Sequence, residues 1–276
     1  MSDPVLLTGR AAAAARAEES ERPDGLFADP LARALAGDIG FELLRELQST
    51  APEVLSSGCF AVRAKFFDLL LADAARTGVR QAVLLGAGMD TRAFRLELPA
   101  GTVLHELDLP ELVALKQRLL AGAGAHPGCQ VRRTGADLVQ DDWADRLCAA
   151  GFRSDRPAVW IAEGLLQYLG AEPVQRLFAR ITLLSAPGSA LGFDLIGREA
   201  LGGPLLAGLR DRLRSGGSPL TFGDDPSALG LDDGWRCSTT RLGEPGAHFG
   251  RLPADAPDPL PYHFVVARRG ESGTAP

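Results

Sequence analysis

The sequence predicts an α/β fold: a seven-stranded, mostly parallel sheet that ends in an antiparallel hairpin, with an N-terminal helical cap. Three observations carry this reading. Short continuous apolar runs recur between residues 80 and 197, each suited to a strand buried on both faces of a parallel sheet. Helical patterns separate these runs, and strand alternating with helix means a parallel sheet covered by helices. The last two strand patterns have no helix between them, and strands joined by a loop pair antiparallel most easily.

Residues 1–79 read as the helical cap. Asp29-Pro30 is a helix start, a capping acid followed by proline at the first helical position. "LARALAG" follows, and Gly37 can end it. "FELLREL" (41–47) is short and amphipathic, and "CFAVRAKFFDLLLADAARTG" (59–78) is longer, with Gly78 placed as a C-terminal cap. The core spans 80–276. Its strand patterns are "RQAVLLGAG", "TVLHELDL" (102–109), "CQVRRTGADL" (129–138), "PAVWIAEGLL" (157–166) and "SALGFDLIG" (189–197). Helical patterns lie at 110–121 after Pro110, at 142–150 after an acidic start, and at 172–185 with Pro173 near the beginning. A longer helical and glycine-rich stretch follows at 198–230. "GWRCSTTRL" (234–242) and "YHFVVARR" (262–269) form the closing hairpin, and "GESGTAP" reads as a frayed tail.

The 276 residues are enough for a large core, and 46% hydrophobic with 23% charged residues is ordinary for a folded, soluble chain. A net charge of −6 argues against a nucleic-acid surface, which needs a clustered basic face. The four cysteines (Cys59, Cys129, Cys148, Cys237) are widely spaced and read as reduced thiols. There is no signal-like N-terminus and no apolar stretch near the ~20 residues of a membrane span. A cytoplasmic protein is expected.

Ligands of such sheets bind outside the carboxyl ends of the strands, so chemistry is sought there. Gly86, Ala87 and Gly88 follow the first strand, where missing side chains let a ligand approach the backbone. Thr91 stands where a dinucleotide fingerprint has its third glycine, and Asp90 would repel a pyrophosphate. Asp108, 20 residues past Gly88, is placed to accept hydrogen bonds from ribose hydroxyls, with Glu106 as its rival on the same side of the strand. Asp137 can accept the exocyclic amine of adenine while the Leu138 N–H reaches a ring nitrogen. Glu163 follows a buried run and needs a partner, because unpaired burial costs several kcal/mol; the ammonium of a methionine moiety would serve, and a helix-capping role is the alternative. Arg63 shares a helix face with Phe66, Phe67 and Leu70 and needs an anion, either a ligand carboxylate or a structural ion pair. Together these groups fit S-adenosylmethionine better than a dinucleotide.

In order, "LLGAGMDTRAFRL", "HELDLPELVALK", "GADL", "DDW" and "IAEGLLQYL" resemble the leucine carboxyl methyltransferase family, and in particular its bacterial branch of S-adenosylmethionine-dependent methyltransferases, often found near secondary-metabolite genes. "ARAEESERPDGLFADPLA" and "VRAKFFD" resemble that branch as well, so the likeness runs from about residue 10 to the final strand. It implies a class I methyltransferase core, Rossmann-like, under the helical cap, with a lid inserted after the fifth strand at about 198–230. It also implies cofactor contacts from Arg63, the Gly86–Gly88 turn, Asp108, Asp137, Leu138 and Glu163. The family's founding activity methylates a C-terminal leucine carboxylate, and bacterial relatives resemble carboxyl or hydroxyl methylases of small metabolites.

A carboxylate acceptor is already a nucleophile at neutral pH, whereas a phenol or alcohol needs a base. Candidate groups are Tyr168 as a polar contact and His248 in the hairpin loop; His263, inside the last strand pattern, reads as structural. His105 and His126 show no metal-ligand spacing, and no metal is expected. The expected activity is therefore O-methylation of a carboxylate on a small metabolite or peptide, in bacterial secondary metabolism. The alternatives are a hydroxyl or phenol O-methyltransferase of a polyketide-type product, and a non-methylating S-adenosylmethionine-binding member of the fold.

Overall fold

The computed structural model describes residues 4–50, 57–140, 142–197, 229–231, 234–252 and 262–270. Seven strands, β1 (Gln81–Leu85), β2 (Val103–Asp108), β3 (Gln130–Gly135), β4 (Val159–Ala162), β5 (Ala190–Ile196), β6 (Trp235–Arg241) and β7 (Tyr262–Arg269), form one sheet in the order β3-β2-β1-β4-β5-β7-β6. The first five are parallel; β7 runs antiparallel between β5 and β6. The predicted α/β sheet with a terminal antiparallel hairpin is thus present. Most of the expected lid, 198–228, lies outside the described residues; Leu229 at its end is buried in the core.

Alternation along the buried strands builds two apolar layers. On β1, Ala82 and Leu84 join one layer, with Leu112 and Leu120 of α5 (Pro110–Gly122) and much of α1 (Pro4–Ser20), α2 (Ala32–Thr50) and α3 (Ser57–Arg76). Val83 and Leu85 join the other, with Trp143 and Leu147 of α6 (Trp143–Ala149) and Leu177, Phe178 and Ile181 of α7 (Ala171–Leu183). Helix α3 lies tight on the sheet at Gly192 of β5, where an added Cβ would collide with Leu70 and stand 3.0 Å from Phe67. Among the described residues no helix is long and apolar enough to cross a membrane, and the four cysteines are free thiols.

Two helix boundaries follow the sequence reading. Gly37, expected as a stop, does break the helix: at φ 53° it leaves the helical conformation, and a second helical segment, kinked against the first, continues α2 to Thr50. The Arg10 Nε–H reaches across at 2.8 Å to the Ala36 carbonyl beside that kink. Asp29 does cap the helix start: its Oδ1 accepts the Leu31 N–H at 3.2 Å just ahead of α2, while its Oδ2 joins a buried ionic cluster described below.

Candidate functional site

A cavity of about 310 Å³ opens at the carboxyl ends of β1, β2 and β4, with the loop after β3 on one side and α1 and α3 above. Its floor is the turn after β1. Gly86 (φ 64°) and Gly88 (φ 45°) both adopt left-handed backbone, the conformation that favours glycine. A Cβ on Gly86 would lie 2.9 Å from Leu165, so a side chain there would fill space that the cavity now uses. Helix α1 closes down on this turn: an added Cβ on Gly9 would lie 3.6 Å from the Gly88 Cα.

The structure explains why the third fingerprint glycine is missing. The helix after the turn, α4 (Arg92–Arg95), is a single turn. Its first N–H, on Arg92, is taken by the Asp90 carboxylate at 2.7 Å, so no open helix N-terminus faces the cavity for a pyrophosphate. Thr91 is buried, and its hydroxyl donates to Asp29 at 2.5 Å.

Asp108 stands at the cavity edge. Its Oδ2 accepts the Gly88 N–H at 2.6 Å and its Oδ1 the Leu109 N–H at 2.8 Å; each oxygen keeps a lone pair for a ligand hydroxyl. Burial pushes its carboxyl above the ordinary range, against the pull of those two backbone donors. Glu106, the rival, is 1% exposed and turned inward, paired with Lys116 Nζ at 2.8 Å and Arg133 Nε at 2.9 Å. Asp137 lines the cavity with Leu138; its Oδ1 accepts the Val139 N–H at 2.9 Å, and its Oδ2 makes no hydrogen bond among the described residues.

Glu163 has its partners within the chain. Its Oε1 accepts Arg63 Nε–H at 3.0 Å and its Oε2 accepts Arg92 Nη2–H at 2.7 Å. Burial would raise its carboxyl, but Arg92 and Arg63 outweigh it and hold the group below the usual range. The partner that the sequence reading required for this carboxylate is thus supplied within the chain by two guanidiniums, and each oxygen keeps a lone pair toward the cavity. Arg63 likewise has its structural ion pair while still lining the cavity.

Behind this pair runs a buried ionic cluster that pattern reading did not find. Arg92, 2% exposed, donates to Asp68 at 2.8 Å, to Asp90 and to the Ala64 carbonyl. Arg95 grips Asp68 at 2.5 and 2.7 Å, and Arg16 reaches Asp29 at 2.9 Å and the Met89 carbonyl at 2.5 Å. The cluster ties α1, α3 and β4 to the turn after β1. Asp68 and Arg92 were both visible in sequence as polar residues beside apolar stripes, the one signal that could have marked them.

The proton-transfer candidates are placed differently. Tyr168 lines the cavity, and burial raises its phenol. His248 lies in the loop after β6, outside the cavity wall, its Nδ1 accepting the Gly250 N–H at 3.2 Å. His263 is buried within β7. No histidine is among the residues that line the cavity. Two polar groups that the sequence reading passed over complete this end of the wall: Tyr262, which lines it, and Asp194 behind it.

Known proteins resemble this chain in sequence and in fold. The model of the leucine carboxyl methyltransferase family matches residues 10–182, more than half of the chain. A protein of Parafrankia sp. named "Putative S-adenosyl-L-methionine-dependent methyltransferase" is 41% identical over 95% of this chain and 86% of its own length. A Mycolicibacterium smegmatis protein of the same description is 39% identical over 91% of this chain and 88% of its own. Among solved structures, a DUF574 family protein from Streptomyces avermitilis superposes with a TM-score of 0.63 at 18% identity, covering 87% of this chain and 95% of that one. A methyltransferase-like protein from Thermobifida fusca gives 0.59 at 18%, covering 93% and 94%. These two likenesses concern the fold.

Proposed function

The chain belongs to the leucine carboxyl methyltransferase family and is an S-adenosylmethionine-dependent methyltransferase; from that premise we propose that it methylates a carboxylate oxygen of a small metabolite or peptide. When bound, S-adenosylmethionine supplies an electrophilic methyl carbon on a sulfonium. The chain's part is to bind, orient and exclude water.

The donor set of the cavity suits that cofactor. Asp108 offers a lone pair on each oxygen for the ribose hydroxyls, Asp137 a free Oδ2 for the adenine amine, and Leu138 its backbone N–H for a ring nitrogen. The Gly86–Ala87–Gly88 turn allows close backbone approach. Arg63 is assigned the methionine carboxylate. Glu163 is assigned the same end of the molecule, where it orients Arg63 and keeps a lone pair for the amine.

One observation carries the choice of acceptor. Among the described residues that line the cavity there is no histidine, and burial raises both phenols, Tyr168 and Tyr262, above their usual range. The carboxylates in the wall already accept hydrogen bonds from backbone N–H groups or arginines, so neither an imidazole nor a lowered phenol is there to take a proton from a hydroxyl, while a carboxylate acceptor arrives ionised. The family resemblance adds the setting, a cytoplasmic step of bacterial secondary metabolism with no nucleic-acid or membrane partner.

The test is methyl transfer from radiolabelled S-adenosylmethionine to a panel of carboxylic acids, phenols and alcohols. Carboxyl methyl esters release volatile methanol in mild base, and methyl ethers do not. Base-labile label supports the proposal; base-stable label on a phenol or alcohol overturns it.

A further inference from the structure

Asp194 is an acid within a strand whose seven residues are all buried. Its Oδ1 accepts the Gly164 N–H at 2.6 Å, and its Oδ2 accepts the Tyr262 O–H at 2.5 Å. The Tyr262 oxygen in turn accepts Arg63 Nη1–H at 3.2 Å, and Arg63 Nε–H is held by Glu163 at 3.0 Å. The donor order is fixed: a phenol that gives its proton to Asp194 presents only lone pairs to the guanidinium. Burial, helped by Asp194, keeps the Tyr262 phenol well above its usual range, so it remains a donor at working pH. The guanidinium also lies flat on Gly164, where a Cβ would stand 3.1 Å from Nη1 and 3.2 Å from Cζ and Nη2. Arg63 is thus held at two of its three nitrogens and on one face, while Nη2 makes no hydrogen bond among the described residues.

We propose that Tyr262, locked in place by Asp194, is a positioning residue that aims the free edge of Arg63 at the carboxylate of the cofactor's amino-acid end. The inference rests on the reading of the cavity as the S-adenosylmethionine site with Arg63 at that carboxylate. An unrestrained arginine loses rotamer entropy when it is immobilised; fixing it beforehand leaves less to lose when the anion arrives. The arrangement needs β7 between β5 and β6, because only the antiparallel strand brings its first residue, Tyr262, opposite Ile196 and beside the open end of the sheet.

The test is calorimetric titration of the full chain with two ligands. S-adenosylhomocysteine carries the amino-acid carboxylate; 5′-methylthioadenosine keeps the nucleoside and the sulfur but lacks it. Tyr262→Phe preserves the ring and its packing on Phe264, 5.5 Å between centroids. The expected result is an S-adenosylhomocysteine affinity weakened about tenfold with methylthioadenosine binding unchanged, which also shows that the variant is folded. Arg63→Gln should produce the same selective loss, and Tyr262→Phe should add nothing in that background. Equal weakening of both ligands, no weakening of either, or additive effects of the two substitutions would overturn the proposal. Failure of the unsubstituted chain to bind either ligand would instead bring down the cofactor reading beneath it, and the proposal with it.

Discussion

Replacing Arg92 with methionine tests whether the buried ionic cluster holds the site together. Arg92 is 2% exposed and satisfies Asp68, Asp90 and Glu163 at once. Methionine fills much of the volume but leaves three carboxylates short of a cation. Breaking a buried pair by removing one partner costs about 3–5 kcal/mol, and in a chain of this size that lowers the melting temperature by about 6–20 °C. The pH dependence gives a second handle. Burial would raise the Asp90 carboxyl, but Arg92 foremost, then Lys116, Arg95 and Arg16, bring it from 3.8 down to about 2. A depressed carboxylate contributes stability that is present above its unfolded value and is lost as pH falls toward the folded one. Here that contribution is about 2 kcal/mol, lost as pH drops from about 4 towards 2. In Arg92→Met the largest charge opposing burial is gone, so Asp90 moves up and its protonation relieves the variant. The stability deficit, measured by urea denaturation, should therefore be largest near neutral pH and shrink as the pH is lowered through the carboxylate range. A melting-temperature change under about 2 °C, or a deficit that ignores pH, would refute the reasoning.

Other outcomes follow from the same packing and charge. Gly192→Ala should cost about 1–3 kcal/mol in denaturant titration, because the added methyl collides with Leu70 and presses on Phe67. His105 is fully buried against Phe152, and burial, with Arg132 adding to it, lowers its imidazole from 6.5 to about 4. The unfolded chain then binds the extra proton first, so stability present above pH 6.5 falls by about 3 kcal/mol as pH drops to about 4. His105→Phe should flatten that part of the profile in urea titrations across the range. Gly86→Ala should weaken S-adenosylhomocysteine by more than about tenfold in calorimetry, since its left-handed backbone disfavours a side chain and the new methyl would fill space beside Leu165.

The sheet was readable because its signals are local and redundant. Each parallel strand is a short apolar run, and the last two patterns lack an intervening helix, so the hairpin could be read before any contact was known. The strand-end acids were readable for the same reason, being fixed by where each run stops. Asp108 and Glu106 could not be separated, because strand alternation puts them on the same side; Lys116 and Arg133, which draw Glu106 inward, come from an adjacent helix and strand. Glu163 and Arg63 were both identified, but not as each other's partner, 100 residues apart. Asp194, an acid within an apolar strand, has a partner no local pattern could name: Tyr262, 68 residues away. Gly37 was legible for the same local reason as the strands: its signal said stop, and the helical conformation does break there before a second segment continues.

The central claim is that the cavity beyond β1, β2 and β4 binds S-adenosylmethionine through the strand-end acids. Calorimetric titration of the full chain with S-adenosylhomocysteine, repeated on Asp108→Asn, tests it most directly. The account predicts saturable one-site binding by the parent chain and at least about tenfold weaker binding by the variant, about 1.4 kcal/mol, with the melting temperature little changed. Equal affinity in both proteins, or no binding to the parent chain, would contradict it.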